Sequence, residues 1–254
     1  MGRTIRFALF LAVSLALCSC GRTISPDDQL ASEYHYKLAR NYYNDHNIAM
    51  TQRELHESLT LDPSNAEARH LKGFLMMGLR DWEGAAHEFR LALQFQPDLR
   101  EARNNLGVVL IEQGNYEEAI ETIEPLISDP LYGMQYIAQG NLGLAYMKLG
   151  DLENARKHLE MAVFLLPSFV LGNNNLGIVY MKMNRTRDAL EAFERALKHA
   201  PKNYAEPMYW IGVIYQKAGR YEEAVASFTR CAEILGDTPL GKRCAARAAG
   251  DLLE

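Results

Sequence analysis

Along most of the chain, apolar side chains return every three or four residues, the spacing that gathers them on one face of a helix. Leu142, Ala145, Tyr146 and Leu149 form one such set. Gly150-Asp151 follows, where glycine permits a left-handed helix end and aspartate can cap the next helix. Ala155, Leu159 and Ala162 then give a second helix its buried stripe, and Pro167, which has no N–H to donate, ends it. The unit recurs. A small residue stands next or close to an aliphatic one at Ala39, Gly73, Gly107, Gly143, Gly177 and Gly212, at successive spacings of 34, 34, 36, 34 and 35. Twelve positions on come Thr51, Ala85, Ala119, Ala155, Ala189 and Ala224, and four further Leu55, Phe89, Ile123, Leu159, Phe193 and Phe228. Pro63, Pro97, Pro167 and Pro201 close four of the units. A helix pair of this length cannot bury its apolar face alone, so neighbours must stack.

This six-fold pattern resembles the tetratricopeptide repeat over residues 32 to 236. The resemblance implies an all-α fold: a right-handed superhelical solenoid of six tetratricopeptide helix pairs, with a concave and a convex side. The units fall at about 32–65, 66–99, 100–135, 136–169, 170–204 and 205–236. Residues 237–254 lack the signature but are Ala-rich and helical in pattern, and read as a capping helix. The third unit departs from the others: Pro125 falls inside its expected second helix, and two extra residues lie within Ser128–Gln135. This is either a tolerated kink with a longer loop or a shaped contact surface.

The first twenty residues carry a different signal. Arg3 and Arg6 precede an apolar run from Phe7 to Leu17, too short to span a bilayer and typical of a secretory signal. The run ends in Leu17-Cys18-Ser19-Cys20-Gly21, which resembles a bacterial lipobox; small Ser19 before Cys20 favours Cys20 over Cys18 as the lipidated residue. An ordinary secretory signal containing two cysteines is the alternative. The lipobox reading makes 1–19 a signal peptide and 20–31 a lipidated tether, and Gly21, with no Asp beside the cysteine, resembles lipoproteins of the outer membrane. The composition, 48% hydrophobic and 23% charged, is that of a globular protein. The net charge of −5 becomes −7 once the two arginines of residues 1–19 are removed with no acid. No basic block stands out, which argues against a nucleic-acid partner.

Little in the sequence suggests catalysis. The seven histidines are scattered, and His56-Glu57 lacks a second histidine because Thr60 stands four positions on. No nucleophile elbow or phosphate loop is present, so no catalytic residue, metal or cofactor is expected. Tyr42, Tyr146, Tyr180 and Tyr215 recur at the repeat period, as core residues do. Protein binding is the chemistry that remains. On each first helix the residue after the small one and the residue three further on are expected to face the groove. From the first unit these are Arg40 and Tyr43; the others supply an apolar stripe of Phe74, Met77, Val108, Ile111, Leu144, Met147, Ile178, Met181 and Val213, ending at Gln216. Methionine suits such surfaces because it adapts to a peptide or amphipathic helix. Tyr36, His70, Asn104, Asn174 and Tyr209 are expected to flank the stripe, and Asn105, Asn141 and Asn175 to lie near a bound backbone or to serve the repeat itself. Leu142 and Leu176 belong between helices. Cys231 and Cys244 would be the thiols left after processing, as a disulfide pinning the cap or as two buried free thiols.

The lipobox, the six repeats and the stretch LISDPLYGMQYIAQGNLGLAY (Leu126–Tyr146) together resemble the type IV pilus pilotins, a family of outer-membrane lipoproteins. That stretch looks like the family's extended link between third and fourth repeats, with Gly133 where members often have Pro. The resemblance implies a lipid-anchored periplasmic protein that binds secretin subunits and promotes their outer-membrane insertion and multimerisation. A repeat adaptor for peptidoglycan enzymes or periplasmic proteases is the second possibility. An enzyme would require titratable side chains to converge in the groove.

Overall fold

The computed structural model describes residues 23–250. The expected signal peptide and the expected lipidation site at Cys20 lie outside the described residues. Within them, thirteen α-helices run in antiparallel pairs with no strand. The pairs are α1 (Pro26–Asn44) with α2 (Ile48–Leu61), α3 (Ala66–Gly78) with α4 (Trp82–Phe95), and α5 (Arg100–Glu112) with α6 (Tyr116–Ile123). After them come α7 (Gln135–Leu149) with α8 (Leu152–Leu165), α9 (Val170–Lys182) with α10 (Thr186–His199), and α11 (Glu206–Lys217) with α12 (Tyr221–Leu235). The last helix is α13 (Pro239–Ala248). The expected tether is shorter than 20–31, because Ser25 caps the Asp28 amide and Pro26 opens α1 there.

Local chemistry explains the boundaries. Asn47, Asn65, Asp81 and Asp151 each accept a backbone N–H of their helix's first turn, and Thr238 does so for α13. Between the helices of every pair, one residue turns the chain with positive φ: His46, Arg80, Gly114, Gly150, Asn184 and Gly219. The small residues then let the two helices meet. A Cβ placed on Gly73 would lie 2.8 Å from the Phe89 ring, and one on Gly212 2.6 Å from Phe228. Gly107, Gly143 and Gly177 face Ile123, Leu159 and Phe193 in the same way. The aromatic or aliphatic residue sixteen positions after each glycine therefore seats directly on it.

Pro125 acts as the sequence suggests. Helix α6 stops at Ile123, a 3-10 turn spans Glu124–Ile127, and the chain loops to α7 with Leu126 and Tyr132 turned into the core. The first helices of successive pairs touch one another (α1 to α3, α3 to α5, α5 to α7, α7 to α9, α9 to α11), whereas the second helices make no comparable contact. A layer of helices crowded on one side and spread on the other must curve. The first helices therefore line the concave face.

Candidate functional site

Three positions on each first helix define the inner surface of the first three units. Three residues before the small one stand Tyr36, His70 and Asn104; one residue after it stand Arg40, Phe74 and Val108; and six before it on α5 stands Glu101. Most of these meet in one cavity of about 390 Å³, walled by Tyr36, Arg40 and Tyr43 of α1, His70 and Phe74 of α3, and Glu101, Asn104 and Asn105 of α5. Its far wall is Tyr132 and Met134 of the loop before α7, with Ile137 of α7 itself. The irregular loop and the groove are thus one surface. Tyr132 of this loop is buried in the core, whereas Met134, two residues on, remains exposed at the cavity wall.

A polar ladder stiffens the floor. Asn105 Nδ2 donates to His70 Nε2 at 3.0 Å, and Asn141 Nδ2 donates to Asn104 Oδ1 at 3.0 Å. The bonds that Asn105 and Asn141 were placed to offer a backbone are therefore spent between repeats. Burial pushes His70 below its ordinary value of 6.5, so it is neutral, and the bond from Asn105 requires its Nε2 to be unprotonated. Burial pushes Tyr132 up to about 12 and raises Tyr36, whose ring lies 5.9 Å from the Arg40 guanidinium. At neutral pH the cavity holds one cation, Arg40, and one anion, Glu101, amid aromatic and apolar walls.

The apolar stripe is distributed less simply than its spacing suggests. Phe74, 39% exposed, faces the cavity. Met77 and Leu144 are half-buried against the large core cluster of residues 66–145, and Met147, Ile178 and Met181 against the next one; Val108 is also half-buried. Two assignments are corrected. Ile111 is 5% exposed and belongs to the core, because that side of α5 is enclosed by its neighbours. Val213 is 9% exposed and belongs to the last core cluster, which includes Cys231 and Cys244 with Leu240 and Ala248 of α13 around it. The cap also covers the groove there: Arg243 donates to the Tyr209 hydroxyl and Arg247 to Gln216, each at 2.7 Å. The cap therefore closes the concave face at the sixth unit, whereas the cavity opens on the first three units and the loop.

The sequence pattern did not single out Glu101 and Ile137, and it marked Met134 only as part of the Ser128–Gln135 loop. Glu101 and Ile137 stand six residues before their small residue, one further turn along the face already identified, so extending the stripe by a turn would have found them. Met134 gave no periodic signal because it lies in a loop. Leu142 and Leu176 are each 1% exposed, between helices. Cys231 and Cys244 form a disulfide with Cα atoms 5.9 Å apart. Two further histidines hold structural bonds: His35 bonds Glu54 and His158 bonds Gln139. No group of three metal-ligating side chains occurs among the described residues.

Comparison with known proteins gives this geometry a context. Tetratricopeptide repeat models match residues 76–129, 136–163 and 170–237, together more than half of the chain. The type IV pilus assembly protein PilF of Pseudomonas aeruginosa is 28% identical over 174 residues, covering 64% of this chain and 67% of that protein. A solved structure of P. aeruginosa PilF superposes with a TM-score of 0.73 at 18% identity, covering 87% of this chain and 99% of the other. PilW, a widely conserved type IV pilus biogenesis factor, superposes with a TM-score of 0.75 at 22% identity, over 84% of this chain and 98% of its own.

Proposed function

The chain belongs to the tetratricopeptide repeat family, and on that footing we propose that it is a lipid-anchored, outer-membrane pilotin whose concave cavity holds a secretin segment during type IV pilus biogenesis. The observation that carries this reading is the cavity built jointly by the first three units and the Ser128–Gln135 loop. A repeat scaffold without special purpose has no need of a loop that enters its groove. The similarity to PilF supplies the biological setting. The lipobox supplies the address: acyl chains on Cys20 hold the protein at the inner surface of the outer membrane, and α1 begins six residues later at Pro26. Its role is recognition rather than catalysis. An apolar side chain of the partner enters between Phe74 and Met134, and the partner backbone lies along the walls.

The test is a co-purification from solubilised outer membrane, with secretin multimers followed in parallel. Phe74→Glu and Met134→Glu place a carboxylate where the complex excludes water, so each should abolish capture and multimer formation while leaving the thermal melt unchanged. Leu142→Glu, set in the core, should instead lower the melting temperature sharply. Folded Phe74→Glu and Met134→Glu proteins that still assemble multimeric secretin would remove the cavity as the binding site. Capture of a peptidoglycan enzyme or a periplasmic protease in place of secretin would reassign the protein as an envelope adaptor.

A further inference from the structure

We propose that the concave cavity selects its partner by charge order: an acidic residue against Arg40, an apolar one between Phe74 and Met134, and a basic one against Glu101. The inference rests on the concave cavity being the partner-binding site, and it names the chemistry of that partner. Arg40 and Glu101 are the charged side chains that line the cavity, and several of the charges around them are already matched. On α3, Arg69 and Lys72 both pair with Glu88, at 2.9 and 2.7 Å. On α1, Lys37 pairs with Glu33, and at the base of the loop Arg100 pairs with Asp129 at 2.6 Å. Neither Arg40 nor Glu101 forms an ion pair with another described residue, although both line the cavity. Burial keeps the walls His70, Tyr36 and Tyr132 in their neutral forms at pH 7.

The two charges are also well separated. Arg40 follows the small residue of its helix by one position, whereas Glu101 precedes that of its own by six, which is about two helical turns along the axis. They stand two units apart across the face, with Phe74 between them. An occupant with like charges at both ends meets one favourable and one repulsive contact, and only opposite ends satisfy both. The complementary occupant is an extended or helical segment with an acid, an apolar centre and a base.

Synthetic peptides of nine residues test this without the natural partner. One carries Asp and Lys at its two ends around a central Leu, in either order; two others carry Asp or Lys at both ends. Fluorescence anisotropy with the purified protein should give at least tenfold tighter binding for one mixed-charge peptide, weakening with added salt. Arg40→Glu should move the preference to the peptide with two lysines, and Glu101→Lys to the one with two aspartates. Both residues are exposed, so the variants should melt like the parent. Affinities indifferent to charge pattern, or no binding of any peptide at 1 mM (an affinity of about −4 kcal/mol), would overturn the proposal. Capture of an envelope protein that ignores both charge reversals would sink this inference while leaving the assignment of the cavity intact.

Discussion

Seven positions after its small residue, every unit bends backward through the left-handed region, and the six residues there are not equally suited to it. Gly114, Gly150 and Gly219 adopt it without a Cβ clash, whereas His46, Arg80 and Asn184 hold φ of 58, 59 and 59°. The Arg80 side chain is exposed and forms no ion pair with another described residue. Arg80→Gly should therefore raise stability by about 1 kcal/mol, read as a higher urea midpoint at unchanged slope. The opposite holds at Gly107, where a Cβ would run into Ile123, so Gly107→Ala should destabilise while Gly78→Ala, with open space around it, should not. Titration of His70 offers a third measurement at this scale. Its folded value is lowered by burial, so its neutral form contributes stability that is complete above 6.5 and is lost as pH falls through the lower folded value. Protonation also removes the acceptor that Asn105 uses. The urea midpoint should fall between pH 7.5 and 5, and His70→Gln should flatten part of that fall.

Elements were legible in proportion to their periodicity. The twelve paired helices follow from the small residue, its partner sixteen positions on and the closing proline, because those residues are what close contact between helices requires. Register also placed Tyr36, Arg40, Tyr43, His70, Phe74, Asn104 and Asn105 on one face, and all of them line the cavity. Two features had no periodic trace. The path of the Ser128–Gln135 loop depends on Leu126 and Tyr132 finding room in the core, and the covering of Val213 depends on long-range contacts from the cap. Spacing states where a residue sits on its own helix, not what the next element lays over it. The cap itself gives a prediction. Helix α13 carries Arg, Lys and Ala over most of its length, and its buried residues are Gly241 and Cys244, so the Cys231–Cys244 bond is a main tie to α12. Replacing both cysteines with alanine should cost about 3 kcal/mol in that unit. Hydrogen exchange should show α13 amides unprotected, with α5 to α8 unchanged.

Across the whole molecule, stability in such a solenoid is a sum over units and their junctions, and these are unequal here. Residues 66–145 share one continuous core of seventeen buried side chains, whereas the first unit contributes Ala39 and Leu55 to a small cluster with Ala68 and Leu71. Its interior is partly polar. Ser58 stands where later units have Ala92, Leu126, Ala162, Ala196 and Cys231, and its hydroxyl meets that of buried Ser32 at 3.0 Å. Between α2 and α3 a cleft of about 560 Å³ opens among Leu59, Leu75, Met76 and Leu79, so apolar surface that a tight junction would bury is left in contact with water. Among the described residues no unit covers the outer side of α1 either: Leu30 and Tyr34 are 70% and 60% exposed. The first helix pair should consequently open on its own before the rest unfolds. Native-state hydrogen exchange in low urea should show α1 and α2 exchanging as one unit, at a free energy well below that of α5 to α8. Because α1 supplies Tyr36, Arg40 and Tyr43, opening would also dismantle one wall of the cavity. A bound peptide should then slow exchange in α1 and α2 more than in α9 or α10. Equal protection of α1 and α5 in the free protein would show instead that the first junction is as firm as the others.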